Sequence, residues 1–431
     1  MKPIDRQILH IALPAILSNI TVPLLGLVDV AIVGHLGATA YIGAIAVGGM
    51  MFNLIYWIFG FLRMGTTGLT SQAYGANSQE ETRLWLQRSL SIALGIAALL
   101  ILLQTPICNI AFSLIHPTSE VQSLATTYFH ICIWGAPAML GLYSLTGWFV
   151  GMQNSKIPMW IAICQNLVNI VASLCLVYLC GMKVEGVALG TLIAQYAGFG
   201  MGVVLLFKQY GKQCGNLLHL GKAVWAKAAL MRFFQVNRDI FLRTLCLVAV
   251  TLFFTSTGAS QGEVILAVNT LLMQLFTLYS YIMDGFAFAG EALSGRYLGE
   301  GNRTGLQQTI RHLFGWGGIV TLLFTLLYII GGEGFLGLLT NEQSVIAASA
   351  EYFPWAIAIP IAGMAAFVWD GIYIGCTYTH GMLLSMLCAA SAYFLIYFAL
   401  CNTLGNHALW LAFICYLLIR GIVQTILIRR L

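Results

Sequence analysis

The chain has 431 residues, of which 59% are hydrophobic and only 8% are charged. Soluble domains carry about 25% charged residues, so this composition excludes an ordinary soluble protein and predicts an all-α protein that crosses a membrane many times. The net charge of +5 is explained by membrane topology and does not predict a nucleic-acid partner.

Twelve apolar runs, separated by short polar breaks, follow one another along the chain. A helix of about 20 apolar residues crosses the hydrocarbon core of a bilayer, and every run reaches that length. We therefore predict twelve transmembrane helices, at residues 8–33, 41–73, 84–110, 122–151, 157–179, 186–208, 227–256, 263–295, 306–330, 344–374, 381–401 and 407–428.

The first run combines prolines with a carboxylate at membrane depth. Pro14 and Pro23 each remove a backbone donor, which predicts a helix that bends or opens locally. Asp29 lies near the far end of the run. A charged Asp in a bilayer costs about 2.5–3.5 kcal/mol, and such residues usually mark ion pathways. A bendable helix with one titratable group is what a coupled transporter needs.

Basic residues fall almost entirely on one side of the predicted membrane. With the N-terminus inside, sixteen of the twenty lysines and arginines lie in cytoplasmic segments, and only Lys183 lies outside. Arg63, Arg238 and Arg243 fall within helices. Since cytoplasmic segments carry the excess of Lys and Arg, both termini are predicted to be cytoplasmic. The cytoplasmic set is Lys2, Arg6, Arg83, Arg88, Lys156, Lys208, Lys212, Lys222, Lys227, Arg232, Arg296, Arg303, Arg311, Arg420, Arg429 and Arg430.

Motifs repeat across the middle of the chain. The G-x-x-x-G motif at Gly147 to Gly151 recurs 224 residues later at Gly371 to Gly375. This spacing favours a duplicated six-helix unit, and because six is even, both copies begin on the same face of the membrane. We predict two parallel six-helix lobes at 1–208 and 227–431, joined by a cytoplasmic linker at 209–226.

Polar residues in the first half cluster on two predicted helices. Asn166, Asn169 and Ser173 share one face of the fifth helix, and Thr191 and Gln195 repeat the four-residue spacing on the sixth. These side chains are candidates to line one pocket with Asp29. The alternative is that they only join helices by hydrogen bonds.

Carboxylates in the second half are further candidates. Asp239 and Arg243 are four residues apart, so a helix-surface ion pair is expected between them, with a structural or gating role. Asp284 and Glu291 share a face of the eighth helix, and Glu291 is expected near solvent. Asp370 directly precedes the second glycine motif, where we expect it to line a cavity or titrate; a satisfied structural Asp is the alternative.

Signatures of enzymes and metal sites are missing from the sequence. The eleven cysteines show no C-x-x-C spacing, and we find no Gly-rich phosphate loop, Ser/His or Cys/His arrangement, or cluster of metal ligands. We therefore predict a protein that is not an enzyme and has no cofactor or bound metal. A membrane-embedded enzyme or a receptor is kept as an alternative.

Six motifs resemble the multidrug and toxic compound extrusion (MATE) family, and within it the DNA-damage-inducible protein F branch. They occur in order along the chain, and the resemblance spans all twelve predicted helices. They are L-P at Leu13-Pro14, V-D-x-A-I-V-G-H-L-G at Val28 to Gly37, Q-A-Y-G-A-N at Gln72 to Asn77, G-x-x-x-G-x-Q-N-S at Gly147 to Ser155, N-R-D-I-F-L-R-T-L at Asn237 to Leu245 and W-D-G-I-Y-I-G at Trp369 to Gly375.

This resemblance implies a V of two six-helix lobes that exports cationic, amphipathic compounds in exchange for protons or sodium. It implies that Asp29 is the ion-linked carboxylate, that Pro14 bends the first helix, and that Asn169 and Thr191 belong to the ion site. The family pattern has an Asp where this chain has Ser173, which weakens a sodium site because a hard cation favours anionic oxygen ligands.

We therefore expect a monomeric, proton-coupled efflux antiporter of the bacterial inner membrane, with small cationic or amphipathic substrates. Its site is expected to comprise Asp29, Asn169, Ser173 and Thr191, with Pro14 as the bend and Asp370, Asp284 and Asp239 as candidates in the second lobe. Sodium coupling at the same site and a lipid-precursor flippase of the same superfamily remain as alternatives.

Overall fold

A computed structural model describes residues 3–34, 39–215, 221–340 and 342–428. Helices account for nearly all of these residues, and none of them lies in a strand. The helices are α1 Pro3–Gly34, α2 Thr39–Ile58, α3 Phe61–Gly75, α4 Gln79–Leu102, α5 Gln104–Ile115, α6 Ser119–Cys132, α7 Ala136–Gly151, α8 Lys156–Leu174, α9 Val184–Cys214, α10 Lys227–Ser260, α11 Glu263–Gly299, α12 Arg303–Leu339, α13 Gln343–Gly375, α14 Thr379–Leu404 and α15 Asn406–Leu427.

The predicted membrane spans agree with these helices. Within the described ranges, eleven helical segments are long and apolar enough to cross a membrane. Helix α1, with 32 residues, covers the first predicted span. The all-α fold class with twelve spans is therefore confirmed.

Several predicted spans are not single helices. Gly60 separates α2 from α3, and a 3₁₀ turn at Ile133–Gly135, followed by Pro137, separates α6 from α7. The predicted third span ends early, at Leu102, and α5 follows it. These breaks fall at or beside residues that weaken helical hydrogen bonding in two of the three cases.

Certain predictions concern residues outside the described ranges. They are the basic residues Lys2, Arg429 and Arg430, the end of the first long motif at 35–37, and the linker segment 216–220. The side chain of Pro23 is also outside the description.

The chain forms two compact units. One comprises Met1–Ile16 with Phe234–Leu431, and the other comprises Leu17–Phe233. Helices α1 and α10 each contribute residues to both units. The lobe ranges 1–208 and 227–431 stay a prediction.

The start of α1 is bound to helices of the second half. Asp5 accepts hydrogen bonds from His312 Nδ1 at 2.7 Å and from Trp316 Nε1 at 3.1 Å. Gln7 accepts one from Tyr297 OH at 3.0 Å. These contacts explain why Met1–Ile16 groups with the second half of the chain.

The repeated glycines make equivalent contacts in the two units. A Cβ at Gly147 would overlap the carbonyl oxygen of Arg63, and a Cβ at Gly371 would overlap that of Ala287. Arg63 and Ala287 are themselves 224 residues apart, the same offset as the two glycines. Close approach of backbones through small residues is a common mode of helix packing in membranes. The two glycine contacts are thus repeated at the same offset as the sequence motif.

Candidate functional site

The second half of α1 is bound on both sides of Asp29, by α8 and by the π-helical turn Cys175–Leu179 that follows it. Asn166 Nδ2 donates to the carbonyl oxygen of Thr21 at 3.1 Å, and Tyr178 OH donates to that of Ile32 at 3.1 Å. The carbonyl of Ile32 lies in the last turn of α1, where helical carbonyls lack partners within the helix. These two bonds hold the stretch of α1 that carries Asp29.

Asp29 is a buried carboxylate without a cationic partner among the described residues. The residue is 7% exposed, and its Oδ1 has no hydrogen-bond partner in the described part of the chain. The ion pairs found there join other residues. Asp29 is therefore neither exposed to lipid nor locked by a permanent charge in this part of the molecule.

The predicted polar face of α8 meets α9. Asn169 Nδ2 donates to Thr191 Oγ1 at 3.1 Å, and both Asn169 and Ser173 are fully buried. A Cβ at Gly190 would overlap Ser173 Oγ, so α9 approaches Ser173 with its backbone. The structure thus places Asn169, Ser173 and Thr191 at one helix contact.

Two residues of α6 connect this contact to Asp29, and the sequence analysis missed them. Tyr128 and Cys132 both interact electrostatically with Asp29, and Tyr128 also interacts with Thr191. Both residues are buried. An aromatic residue and a cysteine on an apolar helix carry no local signal of such a role. In the structure, Gly48 packs directly against the Tyr128 ring.

Several polar atoms of the unit Leu17–Phe233 are buried without a hydrogen-bond partner among the described residues. They include Asp29 Oδ1, Asn169 Oδ1 and Ser173 Oγ. Burying a polar atom without a hydrogen bond costs about 1–3 kcal/mol, so an ionised Asp29 is costly at this place.

Asp370 lies in a different setting, in the other compact unit. Its Oδ2 accepts hydrogen bonds from Arg243 Nη2 and Arg420 Nη2, and its Oδ1 accepts one from Gln424 Nε2 at 2.7 Å. All four side chains are buried. This arrangement favours the structural alternative for Asp370, although a role in coupling stays untested.

One expectation about this cluster was wrong. Arg243 does not pair with Asp239, as the four-residue spacing suggested. It pairs instead with the buried carboxylate of Asp370, and Asp239 accepts from Arg238 at 2.9 Å and from Thr379 at 3.1 Å. Arg420, which was assigned to the cytoplasmic segments, has a side chain that is only 4% exposed.

The remaining acids of the second half are not gathered with Asp370 by any contact that the described residues show. Asp284 is half-buried and interacts with Tyr281. Glu291 is 1% exposed rather than solvated, because α13 packs against its backbone through Gly375.

The described residues contain no cluster of three or more His, Cys, Asp or Glu side chains that could hold a metal ion. At Asp29 the structure offers a buried carboxylate without a cationic partner among the described residues. Such a group can bind and release a small cation or a proton.

Comparisons with known proteins identify the family. The MatE family model matches twice, at residues 14–175 and 240–401. DNA damage-inducible protein F of Escherichia coli (strain K12) is 39% identical over 99% of this chain and 92% of its own length. A probable multidrug resistance protein, NorM, of Thermotoga maritima is 24% identical over 80% of this chain and 74% of its own length.

A solved structure described as MATE in the bent conformation has the same fold. It matches with a TM-score of 0.89 and 17% identity, and the match covers all of this chain and 95% of the other. The duplicated match agrees with the sequence repeat and with the repeated glycine contacts. The chain therefore belongs to the MatE family, the multidrug and toxic compound extrusion transporters, which are not enzymes.

Proposed function

We propose that this protein is a proton-coupled antiporter that exports amphipathic, often cationic compounds across the bacterial inner membrane. It acts as a monomer with both termini in the cytoplasm. The coupling ion is a proton carried by Asp29, and no cofactor takes part. Asn169, Ser173 and Thr191 complete the site.

The observation that carries this proposal is the buried Asp29 without a cationic partner among the described residues. A buried ion that is neither paired nor fully hydrogen-bonded is costly, so such groups tend to be neutralised. A permanent arginine partner, as at Asp370, would stabilise the ionised carboxylate. Asp29 has no such partner among the described residues, so protonation is the way in which its charge can be neutralised.

Uncharged residues at the contact of α8 and α9 favour a proton as the coupling ion. Asn169, Ser173 and Thr191 offer only neutral oxygen atoms, whereas a hard cation favours anionic oxygen ligands. A protonated Asp29 carboxyl group is neutral and provides an O–H donor. Loading a proton therefore removes the buried charge at Asp29.

The division of α1 suggests how this change reaches the rest of the protein. Pro14 is buried, and the two compact units divide α1 two residues after it, between Ile16 and Leu17. The α-helical assignment continues across Pro14. A bend at Pro14 would change how the two parts of α1 are oriented, and the charge on Asp29 would bias that bend.

Export then requires only that proton and substrate favour different conformations. A ligand shifts a conformational equilibrium by its difference in affinity for the two states. If the protonated form favours the state that releases substrate outside, each proton that enters drives one export step.

The test is transport by purified protein in liposomes, with proton and sodium gradients imposed separately. We expect a pH gradient alone to drive accumulation of rhodamine 6G by the wild type and not by Asp29→Asn. Accumulation driven by a sodium gradient at clamped pH would contradict proton coupling, and accumulation by Asp29→Asn that still follows the pH gradient would contradict the role of Asp29.

A matched control removes a carboxylate elsewhere. Glu351 has a side chain that is 64% exposed, so Glu351→Gln also removes one negative charge but leaves the buried site intact. We expect its proton-driven transport to equal that of the wild type.

A further inference from the structure

Two hydrogen bonds hold the backbone of α1 on either side of Asp29. Asn166 donates to the carbonyl oxygen of Thr21, and Tyr178 donates to that of Ile32, each at 3.1 Å. Both bonds end on backbone atoms, so they hold the helix itself and not one of its side chains. Because they occur in the same order along both segments, α1 and α8 run in the same direction between them.

The spacing of these bonds determines which residues lie at the same height. Asp29 follows Thr21 by eight residues, and Ser173 follows Asn166 by seven. At about 1.5 Å of rise per residue, both lie about 10–12 Å beyond the bond between Asn166 and Thr21. The two bonds therefore hold Asp29 at the height of Ser173 along α8.

The second of these bonds depends on a departure from regular α-helical geometry. Tyr178 follows Asn166 by twelve residues, and at about 100° per residue a regular helix would place the two side chains about 120° apart. Cys175–Leu179 instead form a π-helical turn, in which the N–H of Cys180 donates to the carbonyl oxygen of Cys175 at 3.2 Å. Such a turn takes up one additional residue, which lowers the angle toward about 20°.

The π-helical turn thus brings Tyr178 to the face from which Asn166 contacts α1. It begins two residues after Ser173, and the carbonyl that Tyr178 binds lies three residues after Asp29. Single π-helical turns within α-helices are rare and frequently occur at functional sites. Here the turn supplies a bond to the part of α1 that carries the candidate ion-linked carboxylate.

We propose that Tyr178 is a positioning residue for Asp29. Its hydroxyl fixes the end of α1, so that the Asp29 carboxyl group keeps one hydrogen-bonded environment when it gains and loses a proton. Asn166 holds the other side of the same stretch. This inference rests on the proposed function, in which Asp29 carries the proton, and it adds a residue that acts through the backbone of α1.

The experiment observes the Asp29 carboxyl group directly. Infrared difference spectra between low and high pH, recorded on purified protein without a gradient, show the carbonyl stretching band of a protonated carboxyl group. The Asp29 band is the one that Asp29→Asn removes. We expect this band to broaden in Tyr178→Phe, because the carboxyl group then samples several environments. Asn166→Leu removes the other bond and should broaden the same band.

Transport in liposomes is the second measurement. Tyr178→Phe should lower the rate of proton-driven rhodamine 6G accumulation, per dye-binding site, by about tenfold, the effect of about one hydrogen bond on a rate. The variant keeps the ring, and Tyr178 is 52% exposed, so the fold should be retained.

Tyr196→Phe is the matched control. Tyr196 lies in the same compact unit and is 46% exposed. Its hydroxyl also donates to a backbone carbonyl, that of Trp134, at 2.8 Å. This variant should change neither the Asp29 band nor the transport rate.

The outcomes separate this inference from the proposed function. An unchanged Asp29 band in both Tyr178→Phe and Asn166→Leu would overturn the inference, and so would an equal change in Tyr196→Phe. A band that broadens only in the first two variants, in a protein that transports no dye along a pH gradient, would support the positioning of Asp29 while contradicting the antiporter. If Asp29→Asn removed no band, both would be contradicted.

Discussion

The two halves of this protein share a packing scaffold and differ in what they bury on it. Gly147 packs against the backbone of Arg63, and Gly371 packs against that of Ala287. The turns that follow also correspond, because Gln153 and Thr377, again 224 residues apart, both adopt positive φ. A duplicated unit has therefore kept its helix contacts and its turns.

Side chains at the positions that correspond to the candidate ion site are aromatic in the second half. Residues 224 positions after Asp29, Asn169 and Ser173 are Phe253, Tyr393 and Tyr397. Their rings pack together, with centroids of Phe253 and Tyr393 6.0 Å apart and those of Phe253 and Tyr397 5.2 Å apart. The polar site of one half is thus an apolar aromatic cluster in the other.

The reverse holds for the Asp370 cluster. Residues 224 positions before Asp370 and Arg243 are Thr146 and Asn19, which are uncharged. Each half therefore buries one charged group at a place where the other half has none. Asp29 has no cationic partner among the described residues, whereas Asp370 has two. The stability of the protein should therefore respond differently to removal of the two charges.

The largest expected effect on stability is that of Asp370→Asn. This change leaves two buried arginines without a counter-charge, and breaking a buried pair in this way costs about 3–5 kcal/mol. Asp29→Asn removes a charge that has no cationic partner in the described structure, so it should leave stability unchanged or raise it. Thermal unfolding of the purified variants in detergent measures both.

If the two variants unfolded at the same temperature, the claim that Asp370 and Asp29 lie in different electrostatic environments would be contradicted. A further comparison is the stability of Asp239→Asn. Asp239 pairs with the largely exposed Arg238, so its loss should cost less than the loss of Asp370.

Sequence patterns sufficed for the features that repeat or that are local. The apolar runs predicted the twelve spans, and the 224-residue offset of the glycines predicted a duplicated unit, in which the structure shows equivalent glycine contacts. The pairing of Arg243 could not be predicted in this way, because its partner lies 127 residues away. The four-residue spacing of ion pairs on a helix surface indicates only Asp239 as a partner. The proximity of Tyr128 to Asp29 was missed for the same reason.

The shared scaffold predicts matching effects of the two central glycines. Gly147→Ala and Gly371→Ala each place a methyl group against a backbone carbonyl that cannot rotate away. Overpacking of this kind costs about 1–3 kcal/mol. We expect similar losses of thermal stability in both variants, measured in detergent as above.

Two other glycines provide controls for these substitutions. A Cβ at Gly49 or Gly318 would meet no heavy atom within 4 Å, so alanine at either place should not reduce stability. A loss at Gly147 without a comparable loss at Gly371 would mean that the two halves do not share the packing described above.

The smallest expected effect is a change of ion preference in Ser173→Asp. Ser173 is fully buried, and its Oγ has no hydrogen-bond partner among the described residues. The resemblance to the MATE family implies an acid at this position. A second carboxylate would add anionic oxygen ligands of the kind that hard cations favour. We expect sodium at clamped pH to stimulate dye transport, with sodium binding about tenfold tighter than in the wild type, or ~1.4 kcal/mol.

Ser173→Asn adds a side chain of the same size as Asp without the charge and should show no such stimulation. Equal responses of the two variants would mean that the charge at this position does not select the ion, and the contrast between a proton-binding half and an aromatic half would then rest on Asp29 alone.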